Sequence, residues 1–320
     1  MLACVGSVAS LLLRETCFFR HPACSLLTPC LKYGPSCLSS PPFRGRRSRV
    51  SSMSSEARLS RTVRFSLTRD GEAEKALSSP RGNTHAGWPG MNTTAGASWT
   101  TVVEVQGNPD PRTGYLVGID RIDAAVREIA LPRLLPRHAL GELTAPDALR
   151  MLHAAVAEEL TPPPFATMLS TEPMTWWRIE SASMSTMRLR RRYEFSASHR
   201  LHLPELDDAA NAALFGKCSN PHGHGHNYEV EVEVACGSDH DAISVDALDA
   251  VVNRHLIDRF DHKHLNLDLD DFRDQVASVE NIAARCVDLL REPIQSLRNE
   301  PRLHAVTVWE TPRTACTVNA

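Results

Sequence analysis

Hydrophobic and polar positions alternate strictly along two stretches of the chain, Thr101-Val-Val-Glu-Val-Gln106 and Tyr228-Glu-Val-Glu-Val-Glu-Val234. Period-two alternation of this length predicts antiparallel strands with one buried face and one polar face. Each is preceded by a segment of similar wording, Arg61-Thr-Val-Arg-Phe-Ser66 and Arg191-Arg-Tyr-Glu-Phe-Ser196, with Phe65 and Phe195 130 residues apart. Each is followed by a helix start, Gly118-Ile-Asp-Arg-Ile-Asp-Ala-Ala-Val126 and Ser244-Val-Asp-Ala-Leu-Asp-Ala-Val-Val252, offset by 126 residues. Asp120 and Asp246 are placed to cap these helices, with apolar residues following at helical spacing. A second helix is expected over Pro146 to Leu160 and over Ser278 to Leu290, and each half closes on a Trp-containing strand, Thr175 to Glu180 and Ala305 to Glu310.

The pattern is a duplicated unit of strand, strand, helix, helix and at least one more strand. That is an α+β domain built on an antiparallel sheet. The halves are expected at 58–187 and 188–320, with Pro162 to Pro164 in a loop and Ser181 to Thr186 as the linker. Residues 1–57 are set aside as an extension, disordered or not native. They are Arg-rich, with Glu15 the lone acid before Glu56, which suits a transit peptide or sequence upstream of a better start at Met53.

Composition narrows the function. The chain has 320 residues, 42% hydrophobic and 23% charged, enough to bury a core in one large or two ordinary domains. A net charge of −3 and no basic run in the body argue against nucleic-acid binding through phosphates. The longest apolar stretch, around Val8 to Leu13, is far short of the roughly 20 residues a bilayer span needs. Five of the nine cysteines fall in the first 37 residues, so the body reads as a reduced, cytoplasmic protein rather than a disulfide scaffold.

The chemistry is concentrated in the second half. His224 and His226 are two apart at the start of a strand, so both rings point to one face, and His199 ends the strand expected to pair with it. Three neutral imidazoles with an open fourth position form a catalytic zinc arrangement. Cys218 lies six residues before His224. It is either a fourth ligand or an unligated thiolate facing the metal-bound substrate. His222 offers an alternative register, disfavoured because it falls in the turn before the strand alternates. Asp268, Asp270, Asp271 and Asp274 lack the Gly and terminal Glu of a calcium loop and read as a solvated face. Cys236, Cys286 and Cys316 read as buried small apolar residues.

The runs Phe195-Ser-Ala-Ser-His-Arg-Leu201 and Phe215-Gly-Lys-Cys-Ser-Asn-Pro-His-Gly-His-Gly-His-Asn-Tyr228 resemble the 6-pyruvoyl- and 6-carboxy-tetrahydropterin synthase family. Phe260-Asp-His-Lys-His-Leu265, Ser278-Val-Glu-Asn-Ile282 and Trp309-Glu-Thr311 follow in the same order, so the resemblance covers the second half. It implies a tunnelling fold: a four-stranded antiparallel sheet with two helices on one face, here in tandem. It implies His199, His224 and His226 as zinc ligands, Cys218 as the base, and Asp261 with His262 as a proton relay. Glu310 would anchor a pterin ring, with Ser278 and Glu280 lining its pocket, although Val279 stands where a hydroxyl residue is common. The implied reaction is a zinc-dependent elimination of triphosphate from 7,8-dihydroneopterin triphosphate, giving a 6-pyruvoyl or a 6-carboxy product. The implied partner is the chain itself, in a barrel-type oligomer. The competing reading is a zinc- and pterin-binding assembly protein without turnover.

Carried back through the repeat, His199 matches Arg69, Cys218 falls near Asn92, and His224 and His226 fall near Ser98 and Thr100. Asp261 and His262 fall near Leu135 and Pro136. Glu180 is expected in the place of Glu310. The first half therefore reads as a degenerate copy retained for assembly.

Overall fold

A computed structural model describes residues 56–67, 97–237 and 243–320. Most of the expected extension, together with Arg69 and Asn92, lies outside these residues. The first half runs β1 (Ala57–Leu67), β2 (Ala97–Gly107), a helical run α1 (119–139), α2 (Ala145–Glu159), β3 (Ala166–Glu172) and β4 (Thr175–Glu180). The second runs β5 (Thr186–His199), α3 (Asp208–Phe215), β6 (His224–Gly237), a helical run α4 (245–260), β7 (Lys263–His264), α5 (Val279–Gln295), β8 (Arg302–Thr311) and β9 (Thr314–Asn319). Among the described residues no helix is long and apolar enough to cross a membrane.

The strands form one sheet in the order β1-β2-β3-β4-β5-β6-β8-β9, each antiparallel to its neighbour, with β7 lying parallel against the end of β5. Each half thus contributes four main strands, the tunnelling-fold unit, twice over. The two units join through β4 and β5, with Trp177 opposite Leu189 and Ile179 opposite Met187. The expected linker is a short 3₁₀ turn (Ser181–Ser183) at this hairpin, and β5 begins at Thr186.

Alternation sorts the two faces. Val63, Phe65, Leu67, Val103, Val105, Leu189, Phe195, Val230, Val232 and Val234 are all buried on the helix side. Full burial of a side chain of this size contributes roughly 1.5–3 kcal/mol. The opposite face carries a ladder of ion pairs that crosses the join. Arg178 lies 3.0 Å from Glu104 and 2.9 Å from Glu180, Arg188 lies 3.7 Å from Glu180 and 3.3 Å from Glu233, and Arg190 is 3.1 Å from Glu233.

The duplication is visible in side chains as well as strands. Arg61 holds Asp123 of α1 through two hydrogen bonds of 2.9 and 2.6 Å, and Arg191 holds Asp249 of α4 through two of 2.7 Å. Both long helices contain a π-helical turn, at Ala125–Ala130 and Asn253–Ile257.

Several expectations change. Gly118 and Ser244 are the helix caps, and Asp120 and Asp246 sit in the first turns; the Ser244 hydroxyl accepts from the Ala247 amide. The Trp strands are not equivalent: Trp176 and Trp177 belong to the fourth strand of their half, Trp309 to the third. Register therefore places Asn319 at the position of Glu180, and Thr171 at that of Glu310. Asp271 is not solvated. Its side chain is fully buried between Arg259 and Arg285, each 2.7 Å away. Cys236 and Cys286 are buried, whereas Cys316 on the edge strand is half-buried.

Candidate metal centre and the cleft beside it

β5 ends and β6 begins at the same point of the sheet. Their register sets His199 directly opposite His224 and Ala197 opposite His226. Because side chains alternate, His224, His226 and Tyr228 share a face, and His199 meets them from the neighbouring strand. The ring centroids of His199 lie 4.5 Å from His224 and 5.2 Å from His226, and those of His224 and His226 are 4.9 Å apart. One ligand atom from each histidine lies within 4.8 Å of the other two. Phe195 stacks on Tyr228 at 4.9 Å beneath this cluster and supports it from the core.

Two of the rings, His199 and His224, are held in the neutral state a metal needs. His199 Nδ1 donates to the Ala277 carbonyl at 2.7 Å, which leaves the Nε2 lone pair facing the cluster. Burial pushes His199 down to about 4 and also lowers His224, with neighbouring imidazoles adding to both. His226 Nε2 is buried without a hydrogen-bond partner. Leaving such an atom unsatisfied costs about 1–3 kcal/mol. His199 Nε2 and His224 Nε2 approach to 3.1 Å. Three converging nitrogens, one of them orphaned, fit a metal ion as ligand.

Glu310, expected to anchor a ring, reaches the cluster from β8. Its carboxylate lies 3.4 Å from His199 Nε2 and 3.8 Å from His226 Nε2. Cys218 sits in a 3₁₀ turn (Gly216–Ser219) clipped to the chain after His199: its carbonyl accepts from Leu201 N at 2.9 Å, and Arg200 Nε donates to the Ser219 carbonyl at 2.8 Å. Burial raises the Tyr228 hydroxyl, and the neighbouring Glu310 and Cys218 raise it further. Among the described residues the grouped ligand atoms are those of the three histidines, without Cys218. His222 is exposed in the turn before β6, outside the grouped histidines.

Asp261 and His262 hang from the edge of β5 that β4 leaves uncovered. Asp261 Oδ1 accepts from Ser196 N at 2.8 Å, Oδ2 meets His262 Nδ1 at 2.7 Å, and His262 N donates to the Ser196 carbonyl at 2.6 Å. The Ser196 amide and then His262 hold Asp261 below the usual carboxylate range. His262 adopts a φ of 57°, and its ring is exposed over an open depression that also takes in Ser198, Gly225, His226 and His264.

Ser278 and Glu280 are not brought to this depression. Ser278 caps α5, accepting from Asn281 N at 3.4 Å, and Glu280 is an exposed acid in the first turn. Their link to the cluster runs through the preceding residue, Ala277, whose carbonyl orients His199. His264 is the residue the sequence reading did not use. It bridges Ser198 through β7, its Nδ1 is buried without a partner, and its backbone N donates to Asp268 at 2.7 Å. The only signal in the sequence was its place in Phe260–Leu265, where nothing separates it from Lys263.

The first half holds no such cluster among the described residues. Register places Ala97 opposite the position matched to Ala197, so Ala97 stands at His226, not Ser98 or Thr100. Leu135 and Pro136 lie within α1, which continues where α4 stops before Asp261.

Comparison with known proteins bears on the second half. The family model described as 6-pyruvoyl tetrahydropterin synthase matches residues 188–320. The chain is 39% identical over 128 residues to a 6-pyruvoyl tetrahydrobiopterin synthase of Drosophila melanogaster, covering 39% of this chain and 74% of that protein. It is 38% identical over 124 residues to the Homo sapiens protein of the same name, covering 38% of this chain and 83% of that one. A solved structure of Caenorhabditis elegans 6-pyruvoyl tetrahydropterin synthase is similar at 33% identity and a TM-score of 0.39, covering 42% of this chain and 96% of that one.

Proposed function

Since the chain belongs to the 6-pyruvoyl tetrahydropterin synthase family, we propose that residues 188–320 form a zinc-dependent lyase acting on 7,8-dihydroneopterin triphosphate. The proposed reaction releases triphosphate and leaves a 6-substituted tetrahydropterin, and the names of the relatives favour the 6-pyruvoyl over the 6-carboxy product. The observation that carries this reading is the convergence of His199, His224 and His226, with the buried His226 Nε2 left without a partner. Zinc held there would supply a Lewis acid for the oxygens of the substrate side chain.

The remaining work falls to the chain's own groups. Asp261, held ionised by the Ser196 amide, keeps the His262 proton on Nδ1 and frees Nε2 to exchange a proton with substrate. The Cys218 thiol is the second proton-transfer group, on the segment that follows His199. Glu310 accepts from the N–H groups of the pterin ring, a charge-assisted contact that fixes the ring against the cluster. Residues 58–187 act as scaffold, since Ala97 and Thr171 occupy the positions of His226 and Glu310.

The test is to incubate zinc-loaded protein with 7,8-dihydroneopterin triphosphate and identify products by mass spectrometry, with Cys218→Ala alongside. The expected result is 6-pyruvoyl-tetrahydropterin and triphosphate from the wild type, with turnover lost but pterin binding kept in Cys218→Ala. Binding without conversion in the wild type would leave a pterin-holding assembly protein instead. Acetaldehyde release would assign the 6-carboxy product.

A further inference from the structure

The run Ser278-Val-Glu-Asn-Ile282 opens α5 behind His199 and is joined to it through Ala277. His199 Nδ1 donates to the Ala277 carbonyl at 2.7 Å, while the Tyr228 hydroxyl lies farther off, at 3.4 Å. Where the Ala277 carbonyl stands therefore decides how Nε2, the ligand nitrogen, is aimed. Ala277 itself is wholly buried.

Both peptides that meet at Ala277 are fixed by α5. On the downstream side Ser278 is the helix N-cap, its hydroxyl accepting from Asn281 N at 3.4 Å and its carbonyl from Ile282 N at 2.9 Å. On the upstream side Asn281 Nδ2 donates to the Val276 carbonyl at 2.8 Å. Only the amide nitrogen can make that contact, because the oxygen of a flipped amide would face a carbonyl oxygen. One turn along the same helix Arg285 Nε holds the buried Asp271 at 2.7 Å, so α5 grips the segment 271–276 at both ends.

Helix formation alone does not call for this residue. Asparagine gives up helix propensity against alanine, and at the third position of α5 it lacks the charge by which an acid would favour the dipole. What it has, and an acid lacks, is a donor turned back on the segment before the cap. We propose that Asn281 is a positioning residue of the metal centre. Its amide fixes the Val276–Ala277 peptide and, through the Ala277 carbonyl, the tautomer and aim of His199. The proposal rests on the reading of His199, His224 and His226 as zinc ligands. It gives the start of α5 a measurable share in metal affinity without contact with the substrate.

The test uses the full chain. Asn281→Asp keeps the size of the side chain and suits a helix N-terminus, but cannot donate to the Val276 carbonyl. Asn281→Ala removes the donor without adding charge, and serves if the aspartate unsettles the turn. Zinc affinity, from competition with a chromophoric chelator, should fall about 10–100-fold in both, the usual effect of losing an outer-shell partner of a ligating histidine. In zinc-loaded protein labelled with 15N-histidine, the Nδ1–H signal of His199 should move upfield and exchange faster with solvent. Gly141→Ala, a first-half substitution at φ +73°, is the control. It should lower the urea midpoint and leave both readouts as in the wild type.

Wild-type zinc affinity in both Asn281 variants would overturn the proposal while leaving the metal centre intact. So would an unmoved His199 signal, or an equal loss of affinity in Gly141→Ala, which would make the effect one of general softening. Failure of the wild type to bind zinc would remove the metal centre and this role with it.

Discussion

Gly223 is where the cluster is most sensitive to one added atom. Its φ is +70°, and a Cβ built there would lie 2.8 Å from the His199 carbonyl oxygen and 2.8 Å from His264 Nε2. An L-residue in the left-handed region costs roughly 1–2 kcal/mol. The contact adds about 1–3 kcal/mol more, the usual cost of forcing atoms into a packed site. The His199 oxygen has little room to retreat, because the residue is fixed by the β6 ladder on one side and by Ala277 on the other. Gly223→Ala is therefore expected to destabilise by roughly 2–5 kcal/mol. Two glycines serve as controls. Gly141 has φ +73° but nothing within 4 Å of a Cβ, so Gly141→Ala isolates the backbone term, about 1–2 kcal/mol. Gly225, between two of the histidines, would gain only an ordinary contact at 3.6 Å, so Gly225→Ala should change stability by less than about 0.5 kcal/mol. Urea unfolding with matched m-values gives the three numbers. Competition with a chromophoric chelator should show at least a tenfold loss of zinc affinity for Gly223→Ala alone. If Gly223→Ala is no worse than Gly141→Ala, the packing argument around His199 is wrong.

Two further expectations concern ionisation. His199 sits near 4 in the folded chain against an ordinary value of 6.5. The unfolded chain therefore binds more protons between those values, and metal-free protein should lose stability as pH falls from 6.5, levelling off below 4. The loss is at most about 3 kcal/mol, at 1.36 kcal/mol per unit. Urea midpoints of wild type and His199→Gln across this window give the measurement, and parallel curves would count against it. Asp261→Asn keeps an oxygen for the Ser196 amide but removes the charge beside His262. Stability should hold within about 1 kcal/mol while turnover drops about 10²–10⁴-fold, the usual share of a proton-transfer group. Undiminished turnover would end the relay role.

The sequence was most informative where one physical constraint acted alone. β2 and β6 each bury one face, so their alternation stands out, and the spacing of His224 and His226 follows from the same period. β3 was missed because it is buried on both faces: Thr167 is wholly enclosed and satisfied by His153 at 3.0 Å, which erases the alternation. Trp pairs looked like matched landmarks, yet Trp177 fills the join and Trp309 lies under Arg192 on the polar face, 4.5 Å from its guanidinium carbon. Composition around Asp271 suggested solvent, but two arginines from different helices converge on it, a tertiary fact no local window carries. His264 was visible as a residue, but its role depends on a two-residue parallel strand.

Strand order in the sheet follows order along the chain almost without exception. Each new main strand therefore has a finished neighbour to add to, although the longest pairings join residues 25 to 80 apart in sequence, the non-local kind that forms slowly. During synthesis, where N-terminal segments fold first, β4 is in place before β5 leaves the ribosome. The first half is then a template in time as well as in space. It presents a complete edge, with Trp177 and Ile179 ready to cover Leu189 and Met187, to the strand that ends in His199. A half that holds no histidine cluster among its described residues can still be under selection for the fidelity with which the other half acquires its shape.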